Sequence, residues 1–321
     1  MNKPHSKRAR RSSPLVIAAV AAPILIGLYY GLMWWRGVAA ASEQRRQVVA
    51  EATEALAAEV PDENVLSRLM AALDKLPDAD SAADLRAIAA RIELVRGRPE
   101  RADARFGAVA ASPAATAADQ RLGALILLRR AERESAEAAV HSGWLRQVAA
   151  YAQRAYDDGR EPADLLMVWL ARERLGEHAA ATAVAATLQA AHADSAAAQL
   201  AALATAFRSE DGVRPIDQVA RQFPVPPPEI EAMRVVVALQ QRDLAGALSR
   251  AETLLLQAPG VFAVRQSAAL VFHAAVLASA EGAAERAGYV ERRDAQLDWL
   301  AARAPADEPQ RQVWDGWRRQ R

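Results

Sequence analysis

An all-α fold is what this sequence predicts, and three observations predict it. Ala dominates a chain that is 52% hydrophobic but only 5% aromatic, and Ala is the strongest helix former because it loses no side-chain entropy in a helix. Gly and Pro are sparse and sit mostly between apolar runs, where they punctuate helices rather than break them. No stretch alternates Val, Ile or Thr with polar residues as a strand would. More finely, the prediction is an α-solenoid of antiparallel helix hairpins preceded by one transmembrane helix.

The elements follow in order. Residues 1–13 form a basic tail carrying Lys3, Lys7, Arg8, Arg10 and Arg11. Pro14 to Trp35, "PLVIAAVAAPILIGLYYGLMWW", holds no charge. A helix of 22 residues at about 1.5 Å each spans roughly 33 Å, enough for a hydrocarbon core of about 30 Å. Trp34 and Trp35 stand where an interfacial aromatic belt would, and Arg36 closes the segment. Residues 14–36 are therefore predicted to be a signal anchor in the lipid bilayer. The basic cluster precedes the span, so the N-terminus is predicted to be cytoplasmic and the body extracytoplasmic. The alternative is a cleaved signal peptide. "VAAAS" offers small residues for cleavage near Ala40 or Ala41, and cleavage would release a soluble periplasmic adaptor. The apolar run is longer than the usual h-region of about 7–15 residues, which favours the retained anchor.

Residues 43–79 read as membrane-proximal helices, 80–304 as helical repeats and 305–321 as an amphipathic capping helix. The punctuation is specific. Asp62 precedes one helix, Ser81 is predicted as an N-cap with Asp84 three residues on, and Ser112 as a cap followed by Pro113. Pro162 and Pro228 are placed at helix starts.

Three stretches share a register. They are "GRPERADARFGAVAASP" from Gly97, "GEHAAATAVAATLQAAHA" from Gly176 and "RDLAGALSRAETLLLQAP" from Arg242. In each, a turn residue is followed by small or apolar residues at the same three offsets: Ala102, Phe106 and Val109; Ala181, Ala185 and Leu188; Ala247, Ala251 and Leu254. Gly143 reads as a further turn residue, one repeat before Gly176, and either an insertion or a longer helix separates it from Gly97. The pattern resembles the second helix of a tetratricopeptide repeat, where a small residue lets the two helices of a hairpin approach. The resemblance covers about residues 80–260. It implies a stack of hairpins whose first helices line a concave face suited to a partner peptide or helix. In that register, inner positions fall at Arg91, Arg130, Arg133, His141 and Arg174, the candidate partner-binding residues. Trp144, Trp169 and Trp299 read as core fillers.

Composition narrows the function. There is no cysteine, which excludes disulfides, thiolate nucleophiles and cysteine-ligated clusters. All basic residues but Lys3, Lys7 and Lys75 are arginines, which with the abundant Ala points to a GC-rich, most simply bacterial, genome. The net charge of +1 divides into +6 over residues 1–36 and −5 beyond them, where 34 basic residues meet 39 acidic ones. A mildly acidic body is a poor partner for nucleic acid. The five histidines, His5, His141, His178, His192 and His273, form no HExxH motif, "HAD" at His192–Asp194 is only a weak metal-ligand spacing, and no nucleophile elbow, phosphate-binding loop or dinucleotide fingerprint occurs. Mixed charge, as in "RRAERESAE", reads as a solvated helix face. The expectation is a protein without catalysis, cofactor or metal. It would sit in the inner membrane of a bacterium and bind protein partners of the cell envelope. A glycan-binding or enzymatic helical-repeat protein is the more distant alternative.

Overall fold

In a computed structural model, residues 41–58, 61–133, 137–208, 216–304 and 310–320 are described. The predicted anchor over 14–36 lies outside them. No helix among the described residues is long and apolar enough to cross a membrane. The described chain is all-helical, without a strand, and consecutive helices pack as neighbours. It divides into two compact units, Met1–Ile88 and Ala89–Arg321.

The first unit holds α1 (residues 41–57), α2 (Glu63–Leu73) and the start of α3 (Ala83–Val95). Asp62 caps α2 by accepting the backbone N–H of Asn64 at 2.7 Å, which satisfies one of the donors that every helix start leaves open. Leu66, Leu69, Met70 and Leu73 share one buried face of α2. Arg45 on α1 ties the turn and the next helix together, reaching Asp78 at 2.5 Å and Asp84 at 2.7 Å. Asp84 is thus engaged by Arg45, and Ser81 does not cap α3 as predicted. Its hydroxyl donates instead to the carbonyl of Asp78.

The second unit begins within α3. It continues through α4 (Pro99–Ala110), α5 (Ala117–Arg133), α6 (Ala138–Gly159), α7 (Pro162–Arg174) and α8 (His178–His192). Then come α9 (Ala196–Arg208), the short α10 (Ile216–Ala220), α11 (Pro228–Gln240), α12 (Leu244–Gln257), α13 (Phe262–Ala278), α14 (Ala284–Ala301) and α15 (Arg311–Arg319). Pro162 and Pro228 open α7 and α11 as predicted, where their missing N–H costs nothing. The start of α5 differs from prediction. Thr116, not Ser112, is its cap. The Thr116 hydroxyl accepts from the N–H of Asp119 at 3.2 Å, and the Asp119 carboxylate accepts from the N–H of Thr116 at 2.9 Å, a reciprocal box.

The three turns singled out by the sequence are built alike. Gly97, Gly176 and Arg242 all have left-handed backbones, at φ 71°, 72° and 66°. Each turn closes with the same two bonds. The residue after it donates five residues back, Arg98 to Glu93, Glu177 to Arg172 and Asp243 to Ala238, at 2.8–2.9 Å. The turn residue itself donates three back, to Leu94, Glu173 and Leu239. This is a Schellman end, which favours glycine because a Cβ is strained there. The following helices bury the same offsets. Ala181, Ala185 and Leu188 are the buried residues of α8, and Ala247, Ala251 and Leu254 those of α12. On α4, Ala102 and Phe106 are buried, but Ala110 replaces Val109 as the third. Gly143 is corrected. It lies inside α6, a single helix of 22 residues, so the longer helix is what separates the first register from the second.

Arg242 holds a conformation that its relatives in this register give to glycine, and its side chain is exposed. A non-glycine residue in that region carries about 1–2 kcal/mol of strain, partly offset by the extra entropy glycine loses on folding. Arg242→Gly is therefore expected to raise stability by about 0.5–1 kcal/mol, read as a higher urea midpoint.

Three buried clusters of described residues are laid out along this unit. The largest joins α5 to α11 around Trp169, Leu145, Leu165 and Leu203. The next joins α11, α12 and α13 through Val235, Leu254 and Phe272. The last packs α15 onto α13 and α14 through Trp314, Leu297 and Leu300. Each fully buried Leu contributes about 1.5–3 kcal/mol, so these clusters hold the helices in sequence.

Candidate functional site

The five arginine and histidine positions predicted for the inner face have three different fates. Arg91, on α3, is exposed. Arg130 and Arg133 lie one turn apart at the C-terminal end of α5, where basic side chains oppose the helix dipole favourably. Arg130 pairs with Asp103 of α4 at 2.6 Å and lies 4.3 Å over the ring of Trp144. Arg133 reaches back to the carbonyl of Gly97. His141 and Arg174 are buried, at 3% and 5% exposure, and are drawn into a contact that joins distant parts of the unit.

That contact starts from the end of α5. The last four carbonyls of a helix have no partner within it. Two of those on α5 are served from far along the chain or across the turn. The N–H of Gly260, between α12 and α13, donates to the carbonyl of Glu132 at 2.8 Å. The Nε2 of His141 faces the carbonyls of Ala131 at 3.1 Å and Gly260 at 3.0 Å. Both partners are acceptors, so this nitrogen carries the proton and is shared between them. Behind it, Arg174 of α7 spans two carboxylates, Glu132 of α5 at 3.0 Å and Glu229 of α11 at 2.7 Å. All three side chains are at most 7% exposed. Those flanking charges keep the guanidinium of Arg174 protonated against the opposing effect of burial. One of its nitrogens, Nη1, and the Oε2 of Glu229 are buried without a hydrogen bond.

Trp299 of α14 borders this contact. His141 meets it edge-on with ring centres 6.0 Å apart. Arg303 and Arg265 lie 4.1 and 5.1 Å from the ring centre. Arg265 donates to the carbonyl of Pro259 at 2.7 Å and to the side chain of Gln296 at 2.6 Å. Both acceptors are neutral. Burial, and then the charge of Arg303, push its pKa below the usual arginine value. A second feature lies beside Arg130. A cleft of about 330 Å³ between α4 and α6 is floored by Gly107 and Gly123 and edged by Asp103, Gln147 and Tyr151. Its floor is close-packed, since a Cβ on Gly123 would come within 2.4 Å of the Ala110 side chain.

Among the described residues no group of three His, Asp or Glu is placed to hold a metal. Comparison with protein-family models, with curated proteins and with solved structures gives no match.

Sequence reasoning missed Glu132, Glu229, Gly260 and Arg265. Glu132 sits in the mixed-charge run read as a solvated face, yet it is buried. Nothing local separates it from its exposed neighbours. The signal that was available is Gly260, which follows Pro259 and does not begin a helix register.

His141 gives the contact a pH dependence. Burial holds its pKa below the ordinary histidine value, and the charges of Arg303 and Arg174 act in the same direction. Its bonds to the Ala131 and Gly260 carbonyls oppose the shift without cancelling it. The folded protein therefore binds fewer protons than the unfolded chain once the pH falls below about 6.5. The contribution of His141 is complete above that pH and is lost as the pH drops from about 6.5 toward the depressed value. His273, stacked on Trp317 at 4.8 Å, has the same sign, from burial first and then the charge of Arg293. The expected result is a urea midpoint that declines as the pH falls from about 6.5 to about 5. His141→Gln, which keeps a donor but cannot take up a proton, should decline less.

Proposed function

We propose that this protein is a membrane-anchored, extracytoplasmic helical-repeat scaffold that binds protein partners in a bacterial cell-envelope complex. The observation that carries the reading is the repeated register. The same Schellman turn at Gly97, Gly176 and Arg242 leads into helices that bury the first two offsets in all three cases and the third in α8 and α12. A chain that repeats one hairpin and stacks it gains an extended surface whose natural ligand is another protein. The tetratricopeptide resemblance gives that hairpin a type, and the uncharged run 14–35 after a basic tail gives the tether and its orientation.

In this reading the partner meets the accessible members of the predicted set, Arg91, Arg130 and Arg133, together with the cleft beside Asp103 and Tyr151. Its volume, about 330 Å³, lies within the range of side-chain and small-ligand pockets. His141 and Arg174 serve the scaffold rather than the partner. The adaptor reading, favoured by the small residues near Ala40 and Ala41, differs only in the tether.

The test is crosslinking and affinity capture of the full-length protein from native membranes. A defined partner should be recovered with the wild type and reduced with Arg130→Ala and Arg133→Ala together. Recovery of none would defeat the scaffold. A mature N-terminus at Ala41 or Ser42 by mass spectrometry would replace the anchor with the released adaptor.

A further inference from the structure

The contact at Gly260 differs in kind from the packing around it. Gly260 does not have a left-handed backbone, so its own conformation does not call for glycine. What calls for glycine is proximity. A Cβ there would stand 1.7 Å from the carbonyl oxygen of Ala131 and 2.9 Å from its carbon, separations no folded chain tolerates. The missing side chain lets the α12–α13 turn touch the end of α5 and donate one backbone hydrogen bond to it, from Gly260 to Glu132. His141 adds a side-chain bond to the Gly260 carbonyl across a sequence separation of 119 residues.

The joint is also unusually polar. Its core is Arg174 between Glu132 and Glu229, with Nη1 and Oε2 left without hydrogen bonds. Bringing those charges together out of water has a desolvation cost that largely cancels their attraction. When such a joint opens, each charge and each carbonyl regains water, and little is lost. The apolar clusters on either side have no such compensation. An opening of the unit would therefore run through this joint and leave the helical hairpins whole.

We propose that the Gly260 contact is a latch. The second unit exchanges between the closed arrangement described above and an open one. On opening, the α12–α13 turn parts from the α5–α6 end and exposes His141, Glu132 and Arg174 to water. The closed state is the major one, with the open state in the range of about 0.1–10% that is typical of functional minor states. A partner that prefers the open form would draw the population toward it by the ratio of its two affinities. The latch does not depend on the scaffold reading, and its test involves no partner.

The chain contains no cysteine, so two introduced thiols are unique labelling sites. Arg146 on α6 and Leu256 on α12 are both exposed. Spin labels on Arg146→Cys and Leu256→Cys in the full-length protein report the distance across the joint. One dominant distance is expected in the otherwise native chain. Gly260→Ala should move the majority of the population to a longer one, a rise of at least about fivefold in an open fraction that starts at or below about 10%. Glu229→Gln weakens the Arg174 bridge without a clash and should give an intermediate shift. Amide exchange should speed up at residues 137–141 and 258–261 while the segment 165–171 keeps its protection. Unchanged distances in both variants would overturn the latch. So would a uniform loss of protection along the unit, because the joint would then be part of the global core.

Discussion

Arg174→Ala is expected to lower the stability of the second unit by about 3–5 kcal/mol, the usual effect of breaking a buried ion pair from one side. The size follows from what stays behind. Glu132 and Glu229 both direct an oxygen at the guanidinium, at 3.0 and 2.7 Å. Without it, two carboxylates face each other in a site almost closed to solvent, and one of them must take up a proton or draw in water. Arg129, at 2.7 Å from Glu132, relieves only that one partner. Glu229 lies in the first turn of α11, where the helix dipole favours its charge, but a dipole does not replace a donor. Lysine is not a substitute, because a point charge cannot address two carboxylates in different directions as the planar fork does. Arg174→Lys should therefore fall between the wild type and Arg174→Ala. Replacing all three residues by Met should recover most of the loss, since buried triads exchange for apolar packing at little net cost. Urea denaturation followed by circular dichroism measures all four proteins. A loss below about 1 kcal/mol for Arg174→Ala would show that water already screens the triad.

This triad also marks where the sequence stops being informative. The elements that recur locally were legible. Gly97 and Gly176 announce left-handed turns, and the spacing of small residues after them identifies the buried face of α8 completely and, on α4, Ala102 and Phe106 but not Pro99 or Ala110. Arg242 was legible only through the register, since nothing about arginine suggests a positive φ. Gly143 misled for the opposite reason. A glycine before an apolar run looks like a turn, but the helix had already begun at Ala138, and one interior glycine costs it about 1 kcal/mol at most. Ser112 was a plausible cap, but the box is completed only by Thr116 with Asp119. The inner contact could not be read at all. The register assigns His141 to a partner-binding surface, whereas in the structure its ring is buried against the Gly260 carbonyl of the same chain. Contacts across more than a hundred residues leave no periodic trace. A buried glutamate in an Ala-rich helix has the same local surroundings as an exposed one.

Trp169→Ala is expected to have a comparable effect, a loss of about 3–5 kcal/mol, because truncating a large buried aromatic leaves a cavity that the neighbouring helices fill only in part. Trp169 is 1% exposed and sits inside the cluster that joins α5 to α11. Its neighbours in that cluster include Leu145, Leu165, Leu188 and Leu203, drawn from four separate helices. Collapse around the void would thus require helices from different hairpins to shift together. The indole nitrogen adds a second, sharper expectation. It is buried without a hydrogen-bond partner, and an unsatisfied buried donor carries a penalty of about 1–3 kcal/mol. Trp169→Phe removes that donor along with part of the ring. It loses packing and relieves the penalty, so the net change should be near zero to about 1 kcal/mol. The two substitutions therefore separate volume from polarity at one site. If Phe were as damaging as Ala, the fit of the whole indole would be what matters, and a water bonded to the nitrogen would be the simplest reason. If Phe were neutral, Trp169 would be a spacer of the right size at the centre of the largest cluster.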